Sequence, residues 1–374
     1  MRGMQAAELR DDEEQIQHQG TSGVEEVLPL VPQAPTAQRD AVAAFRRDAR
    51  VGRPFGSASL VARRPRGSGT AEMSNSSRLR FTGMTPEDLE GSIIGPVAHH
   101  VDGERIEAFV EATGDRRERW TDAAPPGYAA ALLFSVAGVL LNDERIRPYL
   151  ATLIHVDQQF TFHGPIEQGE TIEMTGTVER VRERAGAFFV TFAATGTSNG
   201  EVVLDSRSTF LMSDQAAGES ATDRQEPTAD ARGPNVVAAD RHPLDIGRVV
   251  TTPKSASRAD LVRYAAATRD FNPLHWDHDT ARTAGLDGVV VHGLLMLSWL
   301  AQQASAFTPA PVPIATIKVR FRSALGPAEV AAVEATTRDI APDGRDAQVS
   351  LKVIANEVDV VTGSAVVSLT GVTP

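Results

Sequence analysis

The chain has 374 residues, 41% of them apolar, with aromatics at only 5%, a formal net charge of −12 and no cysteine. That length suits two domains with extra segments, and the acidity excludes a general nucleic-acid binder, which needs a basic surface to meet phosphates. Disulfides, thiolate nucleophiles and Cys-held zinc are excluded outright.

Residues 1–80 read as a disordered extension. The start is polar and acidic, and Arg46, Arg47, Arg50, Arg53, Arg63, Arg64 and Arg66 follow among Gly, Ser, Ala and Pro. Nothing there keeps a helical or strand period, and the composition offers too little to bury. The Arg-rich part mimics a transit peptide, but the acidic start argues against one. Translation from near Met73 or Met84 is the plainer account. The N-terminus lacks a charged-then-apolar secretory pattern.

Two blocks, 84–212 and 241–372, follow the same plan, separated by a linker over 213–240 that is rich in small and charged residues. Each block opens with a Gly-containing extended stretch, at Gly91 and at Ile246-Gly247. Each then has a short amphipathic helix that ends on an aspartate, Ile106 to Asp115 and Leu261 to Asp270. An apolar helix comes next, 129–141 and 294–302. Strands close each block: 155–160, 171–180 and 187–195 in the first, 317–321, 330–337 and 347–354 in the second. In the strand at 317–321, Ile317, Val319 and Phe321 share one face, while Lys318 and Arg320, with Arg322 beyond them, share the other. The helix from Gly293 carries Leu294, Leu295, Met296, Leu297, Trp299 and Leu300, so it has no polar face and must be buried. An internal repeat of this length points to duplication and a pseudo-two-fold pair. The longest apolar run, Tyr128 to Leu141, holds Ser135 and Gly138 and falls short of the roughly 18 residues of a membrane helix.

The stretch richest in chemistry is Tyr264-Ala-Ala-Ala-Thr-Arg-Asp270-Phe-Asn272-Pro273-Leu-His275-Trp-Asp277. Asn-Pro forbids a smooth helical continuation, so the chain turns between Asp270 and His275 and can aim both at one water. A carboxylate and an imidazole so placed can move protons to and from it. Downstream, Val289-Val-Val-His292-Gly293 leads from a strand-like run into the buried helix. The first N–H groups of a helix lack internal partners and favour negative charge. A thioester carbonyl at Gly293 N–H would be polarised there and its enolate stabilised.

This pattern resembles the MaoC-like hydratase family, which includes (R)-specific enoyl-thioester hydratases and β-hydroxyacyl-thioester dehydratases. Tyr264, Thr268, Asp270, Asn272, Pro273, Leu274, His275 and Asp277 match its motif, and His292-Gly293 matches its entry to the central helix. Arg269 departs from it, because glycine is common there. The usual turn after the basic strand is degraded to Gly326-Pro-Ala-Glu-Val. The resemblance implies an α+β double hot-dog, two antiparallel sheets each wrapped around a central helix. It also implies that Asp270 and His275 activate water, that Gly293 N–H binds the thioester oxygen and that Asn272 orients the loop. The first block resembles the family's degenerate N-terminal dehydratase-like domain. Asp115 stands where Asp270 does, but the fifth residue on is Trp120 and no Asn-Pro intervenes. That block is expected to shape the acyl tunnel.

The expected substrate is an acyl-CoA or an acyl-carrier-protein thioester, with no further cofactor, no metal, no nucleic acid and no membrane span. A cytoplasmic protein that either works alone or forms a homodimer fits these expectations. Lys318, Arg320 and Arg322 are either a solvated strand face or contacts to CoA phosphates or an acidic carrier. His275, Asp277, His278 and Asp279 have no compact metal-site spacing, and Asp277 is expected to cap a helix over 279–284. His292 reads as structural, Ser298 as a packed helix hydroxyl, and His99, His100, His155 and His163 as ordinary. Two other activities fit the fold: a hot-dog thioesterase, disfavoured by the Asp270–His275 loop, and a non-catalytic subunit of a lipid or polyketide assembly.

Overall fold

The computed structural model describes residues 85–213, 233–239 and 241–369. The expected disorder over 1–80 and most of the expected linker lie outside them. In the first half, β1 (Ile93–His100) leads into α1 (Gly103–Thr113). After α2 (Ala129–Leu141) come β2 (Ile154–Phe162), β3 (Thr171–Arg184), β4 (Ala187–Ser198) and β5 (Glu201–Met212). The second half repeats the order: β6 (Val249–Lys254), α3 (Arg258–Thr268), a short inserted α4 (His278–Thr283), α5 (Gly293–Ser305), then β7 (Ile314–Phe321), β8 (Ala331–Ile340), β9 (Asp346–Ala355) and β10 (Val358–Ser368).

Local chemistry explains the helix starts. Asp102 caps α1 by accepting from Arg105 N. Ser257 and Asp260 form a reciprocal capping box on α3. Both helices end on a left-handed residue, Gly114 and Arg269. Asp277 accepts from Thr280 N and caps α4, as its position before a short helix predicts.

All ten strands form one antiparallel sheet in the order β1-β3-β4-β5-β2-β7-β10-β9-β8-β6. This is the expected double hot-dog arrangement, its two sheets joined edge to edge into one. β2 and β7 would each be an exposed edge, and pairing them, with Phe160 opposite Ile317, removes both edges at once. The apolar α2 packs on β1, β3 and β4, and α5 packs on β7 to β10. In β7, Ile317, Val319 and Phe321 face this core, and Lys318 and Arg320 face outward, the alternation read from the sequence. The last strand of each half, β5 and β10, is absent from the sequence expectations. Both are interrupted by polar or small inward residues, among them Ser206 and Ser208 in β5. Among the described residues, no helix is long and apolar enough to cross a membrane.

The halves also meet through their helices. α1 packs on α3, and Gly127, in the turn before α2, lies against Ser298 of α5. A Cβ at Gly127 would sit 2.7 Å from Ser298 Oγ, so only glycine fits that contact.

Candidate active site

α3 delivers the carboxylate. Thr268 Oγ1 donates to Tyr264 O (2.8 Å) and accepts from Asp270 N (3.3 Å), which turns the chain sharply out of the helix. Arg269 supplies the left-handed residue at φ 64°, a conformation usually left to glycine. Asp270 is 6% exposed. Asn272 then organises the turn: its N–H donates to Asp270 Oδ1 (3.4 Å), its Oδ1 accepts from Leu274 N (3.1 Å), and its Nδ2 donates to Leu153 O of the first half (3.4 Å). Pro273–His275 forms a 3-10 turn, and Val290 N donates to Leu274 O (3.0 Å), tying the loop to the segment before α5.

His275 Nδ1 lies 2.8 Å from Val290 O. A carbonyl only accepts, so Nδ1 carries the proton and Nε2 keeps a free lone pair. His292 Nε2 lies 3.2 Å from Asp270 O, so by the same logic its free lone pair is on Nδ1. The two imidazoles stack, with centroids 3.7 Å apart and planes at 25°. One ligating atom from each of Asp270, His275 and His292 falls within 4.8 Å of the others. His292 therefore belongs to the cluster, although the sequence reads it as structural. The only signal for it was His-Gly at the entry to a buried helix.

Burial dominates the protonation states. It pushes the Asp270 carboxyl up to about 7, opposed by the Asn272 N–H. It lowers His275 to about 4, opposed by the Val290 carbonyl. It drives His292 well below its usual value, with His275 adding to the effect. At neutral pH both rings are uncharged and the carboxyl is poised between its forms, where a general acid–base group works best.

Three such groups are close enough to suggest a metal ion. A cation bound to both imidazoles must lie near both ring planes, however, and rings stacked this closely offer no such point at bonding distance. The geometry favours an oxygen that exchanges protons over a coordination sphere. The other grouping weighed from the sequence does not assemble as a ligand set: Asp277 caps α4, and His278 Nδ1 accepts from Val289 N at 3.4 Å.

Gly293 is the first residue of α5. The ring of Phe321 would lie 3.1–3.3 Å from a Cβ there, so glycine lets the helix start and the β7 wall approach closely. Phe321 in turn contacts His155 of the first half, at 5.1 Å between centroids, and His155 also packs at a tilt against Phe210, at 4.7 Å. The structure thus brings Asp270, Asn272 and His275 together in one loop, with His292-Gly293 alongside. Lys318, Arg320 and Arg322 are not part of this group. Lys318 stands opposite Gln159 and Ser364, Arg320 opposite Asp157 and Thr362, and Arg322 Nε donates to Thr362 Oγ1 (2.6 Å). They form an exposed basic row on the outer face of the sheet.

The matching loop of the first half is built differently. Asp115 follows Gly114 as Asp270 follows Arg269, but Trp120 Nε1 donates to Asp115 Oδ2 (3.0 Å) and Arg116 N to Oδ1 (2.7 Å). The indole fills the place of the imidazole and moves no proton. Around it, polar contacts cross between the halves: Lys254 Nζ to Gly114 O (3.0 Å), Gln302 Nε2 to Thr113 O (3.1 Å), Arg116 to Ala238 O (2.7 Å), and Arg119 to Ser305 O and Thr308 O (2.8 Å each).

The model of the MaoC like domain matches residues 238–360. A second model, the FAS1-like dehydratase domain region, matches residues 89–206. The chain belongs to the MaoC-like dehydratase family. It is 30% identical over 115 residues to a UPF0336 protein of Streptomyces coelicolor, covering 26% of this chain and 77% of that protein. It is 36% identical over 80 residues to a mitochondrial 3-hydroxyacyl-[acyl-carrier-protein] dehydratase of Arabidopsis thaliana, covering 21% of this chain and 48% of that one. A solved MaoC-like dehydratase superposes with a TM-score of 0.64 at 19% identity, over 76% of this chain and 99% of that one, a likeness of fold.

Proposed function

We propose that this chain catalyses the reversible hydration of trans-2-enoyl thioesters to (R)-3-hydroxyacyl thioesters. The observation that carries this reading is the Asp270 carboxyl, held by burial at about 7 beside neutral imidazoles and the glycine start of α5. Water sits between the Asp270 carboxylate and His275 Nε2, both of which accept its protons. Its oxygen bonds to C3, and one proton passes to Asp270. The C2–C3 electron pair moves into the thioester, whose oxygen is stabilised at Gly293 N–H. Asp270 then delivers that proton to C2 on the same face and is left ionised for the next turnover. Dehydration runs these steps in reverse: the Asp270 carboxylate takes the C2 proton and returns it to the leaving hydroxyl. Asn272 fixes the loop and needs no contact with substrate. No cofactor is required beyond the CoA or carrier arm of the substrate.

The first half supplies Leu153 O, His155 and Phe210 next to the site, and its role is to shape the acyl pocket. The basic row of Lys318, Arg320 and Arg322 suits an acidic carrier or CoA phosphates lying across the outside of the sheet. Neutralising it raises KM, more steeply at low salt, and leaves kcat unchanged.

Loss of the conjugated enoyl-thioester absorbance tests the reading, with crotonyl-CoA, a longer trans-2-enoyl-CoA and the carrier-bound equivalents. Turnover by wild type and none by Asp270→Asn is expected. Release of free thiol without loss of the double bond would replace the assignment with a thioesterase, and a folded wild type inert on every thioester would overturn it.

A further inference from the structure

Tyr264 is fully buried. Its ring packs 4.9 Å from that of His292 and 6.0 Å from Phe109 across the junction of the halves. Its hydroxyl has no hydrogen-bond partner among the described residues, and neither has His292 Nδ1 beside it. Ser298 Oγ interacts with the hydroxyl, but its own proton goes to Leu294 O (2.8 Å), so it can only accept from the phenol, and the contact falls short of a hydrogen bond of normal geometry. A buried hydroxyl without a well-formed hydrogen bond is costly and seldom retained without a reason. The repeat shows that packing is not that reason. In the first half the equivalent residue, six before Asp115 as Tyr264 is six before Asp270, is Phe109, equally buried and without the hydroxyl. The phenol stands only in the half that keeps Asp270, His275 and His292.

The hydrogen-bond inventory of the site says what the hydroxyl is for. A water about to add to C3 has two protons and two lone pairs. The carboxylate of Asp270, Nε2 of His275 and Nδ1 of His292 are all acceptors in the hydrating state, so they take the protons. One lone pair attacks C3, and the cluster offers no donor for the other. The phenol remains a donor throughout, because burial first and the Asp270 charge second keep its proton well above the usual tyrosine range.

Resting on the hydratase reading above, we propose that Tyr264 is a further catalytic residue, its hydroxyl donating a hydrogen bond to the reacting oxygen, of water in one direction and of the 3-hydroxyl in the other. It forms no covalent bond and carries no net proton. It orients the attacking lone pair in hydration and steadies the departing hydroxyl in dehydration.

The test is Tyr264→Phe in the full chain, with Asp270→Asn in parallel. Tyr264→Phe is expected to lower kcat by about tenfold to a hundredfold in hydration and dehydration alike, an effect on the order of one charge-directed hydrogen bond. KM for the enoyl thioester should stay within twofold, and the melting temperature should hold or rise, as the Phe109 precedent requires. A structural hydroxyl would instead lower the melting temperature and leave kcat per folded molecule unchanged. Retention of kcat within twofold overturns the proposal while an inactive Asp270→Asn keeps the hydratase reading intact. An active Asp270→Asn sinks the choice of base separately. A wild type that turns over no enoyl thioester removes the reading and this inference together.

Discussion

Asp270→Asn should cost activity and add stability, and the pH dependence of that gain is its signature. Burial lifts the Asp270 carboxyl from 3.8 to about 7. A carboxyl raised on folding binds more protons in the folded chain than in the unfolded one. Its contribution therefore favours the fold fully below the unfolded value near 3.8, fades across the interval, and is gone once pH passes about 7. At pH 8 the fold carries an ionised, poorly solvated carboxylate at a cost of about 4 kcal/mol, three pKa units at roughly 1.4 kcal/mol each, and relaxation makes that an upper bound. The amide does not titrate, so mutant minus wild type should be near zero at pH 4, grow between pH 4 and 7, and level off above. With roughly 2–4 °C per kcal/mol for a fold of this size, the melting temperature of the mutant should exceed that of wild type by several degrees at pH 8 and hardly at all at pH 4. Other shifted groups, Asp115 and Lys254 among them, occur in both proteins and cancel in the difference. The assay is thermal unfolding of both proteins across this range, alongside hydration rates. For wild type, kcat/KM should rise with pH to a plateau above about 7 in hydration and dehydration alike, since the overall reaction takes up no proton and both directions start from the ionised carboxylate. A stability difference that is flat in pH, or a mutant less stable at pH 8 than at pH 4 relative to wild type, would refute the account of a strained functional carboxylate.

Three further outcomes follow from close contacts. Gly127→Ala places a Cβ 2.7 Å from Ser298 Oγ and 3.2 Å from Ser298 Cα, so it should destabilise the chain by about 1–3 kcal/mol in chemical unfolding, and adding Ser298→Gly should recover most of the loss. Gly293→Ala meets the Phe321 ring at 3.1 Å; it should lower kcat about tenfold by shifting the N–H proposed to hold the thioester oxygen, with partial recovery when Phe321→Leu is added. Lys254→Met removes the ammonium that bonds Gly114 O and offsets the Asp115 charge, so the melting temperature should fall, and should fall less in the Lys254→Met, Asp115→Asn double variant, because a buried carboxylate without its counter-charge is then no longer left behind.

The helices were legible because each carries its own signals: amphipathic runs ending on aspartate for α1 and α3, an unbroken apolar surface on α2 and α5, and Asp277 ahead of α4. The loop from Asp270 to His275 was legible because Asn272-Pro273 dictates a turn whatever surrounds it. The fusion of the sheets was not, since the pairing of Phe160 with Ile317 joins residues far apart in sequence and leaves no local mark. β5 and β10 escaped for a related reason: Ser206, Ser208 and Gly363 face inward or touch a neighbouring strand, and small residues dilute the alternation on which strand recognition depends. His292 was underread because an isolated histidine on an apolar run is usually satisfied in the core. Its stacking on His275 depends on where α5 docks.

The divergence of the two halves comes down to a few side chains on a shared frame. Both keep threonine, a left-handed residue and aspartate at the end of the first helix, with the same threonine-to-carbonyl bond, Thr113 to Phe109 O and Thr268 to Tyr264 O. In the first half Trp120 spends its N–H on Asp115, Pro126 stands before the glycine where the second half has His292, and Phe109 replaces Tyr264. Each replacement exchanges a group that could bind or transfer a proton for one that cannot, so Trp120→His alone should not create a second site. Lys254 also lies beside Asp115, and its charge lowers the carboxyl that burial raises, whereas nothing cationic opposes burial at Asp270. The same loop serves in one half as a joint, through Arg116, Arg119 and Gly114, and in the other as the seat of a carboxyl tuned to neutral pH. The joint crosses between the halves beside a loop that holds a carboxyl with no cationic partner, two uncharged imidazoles and a buried phenol in one cluster.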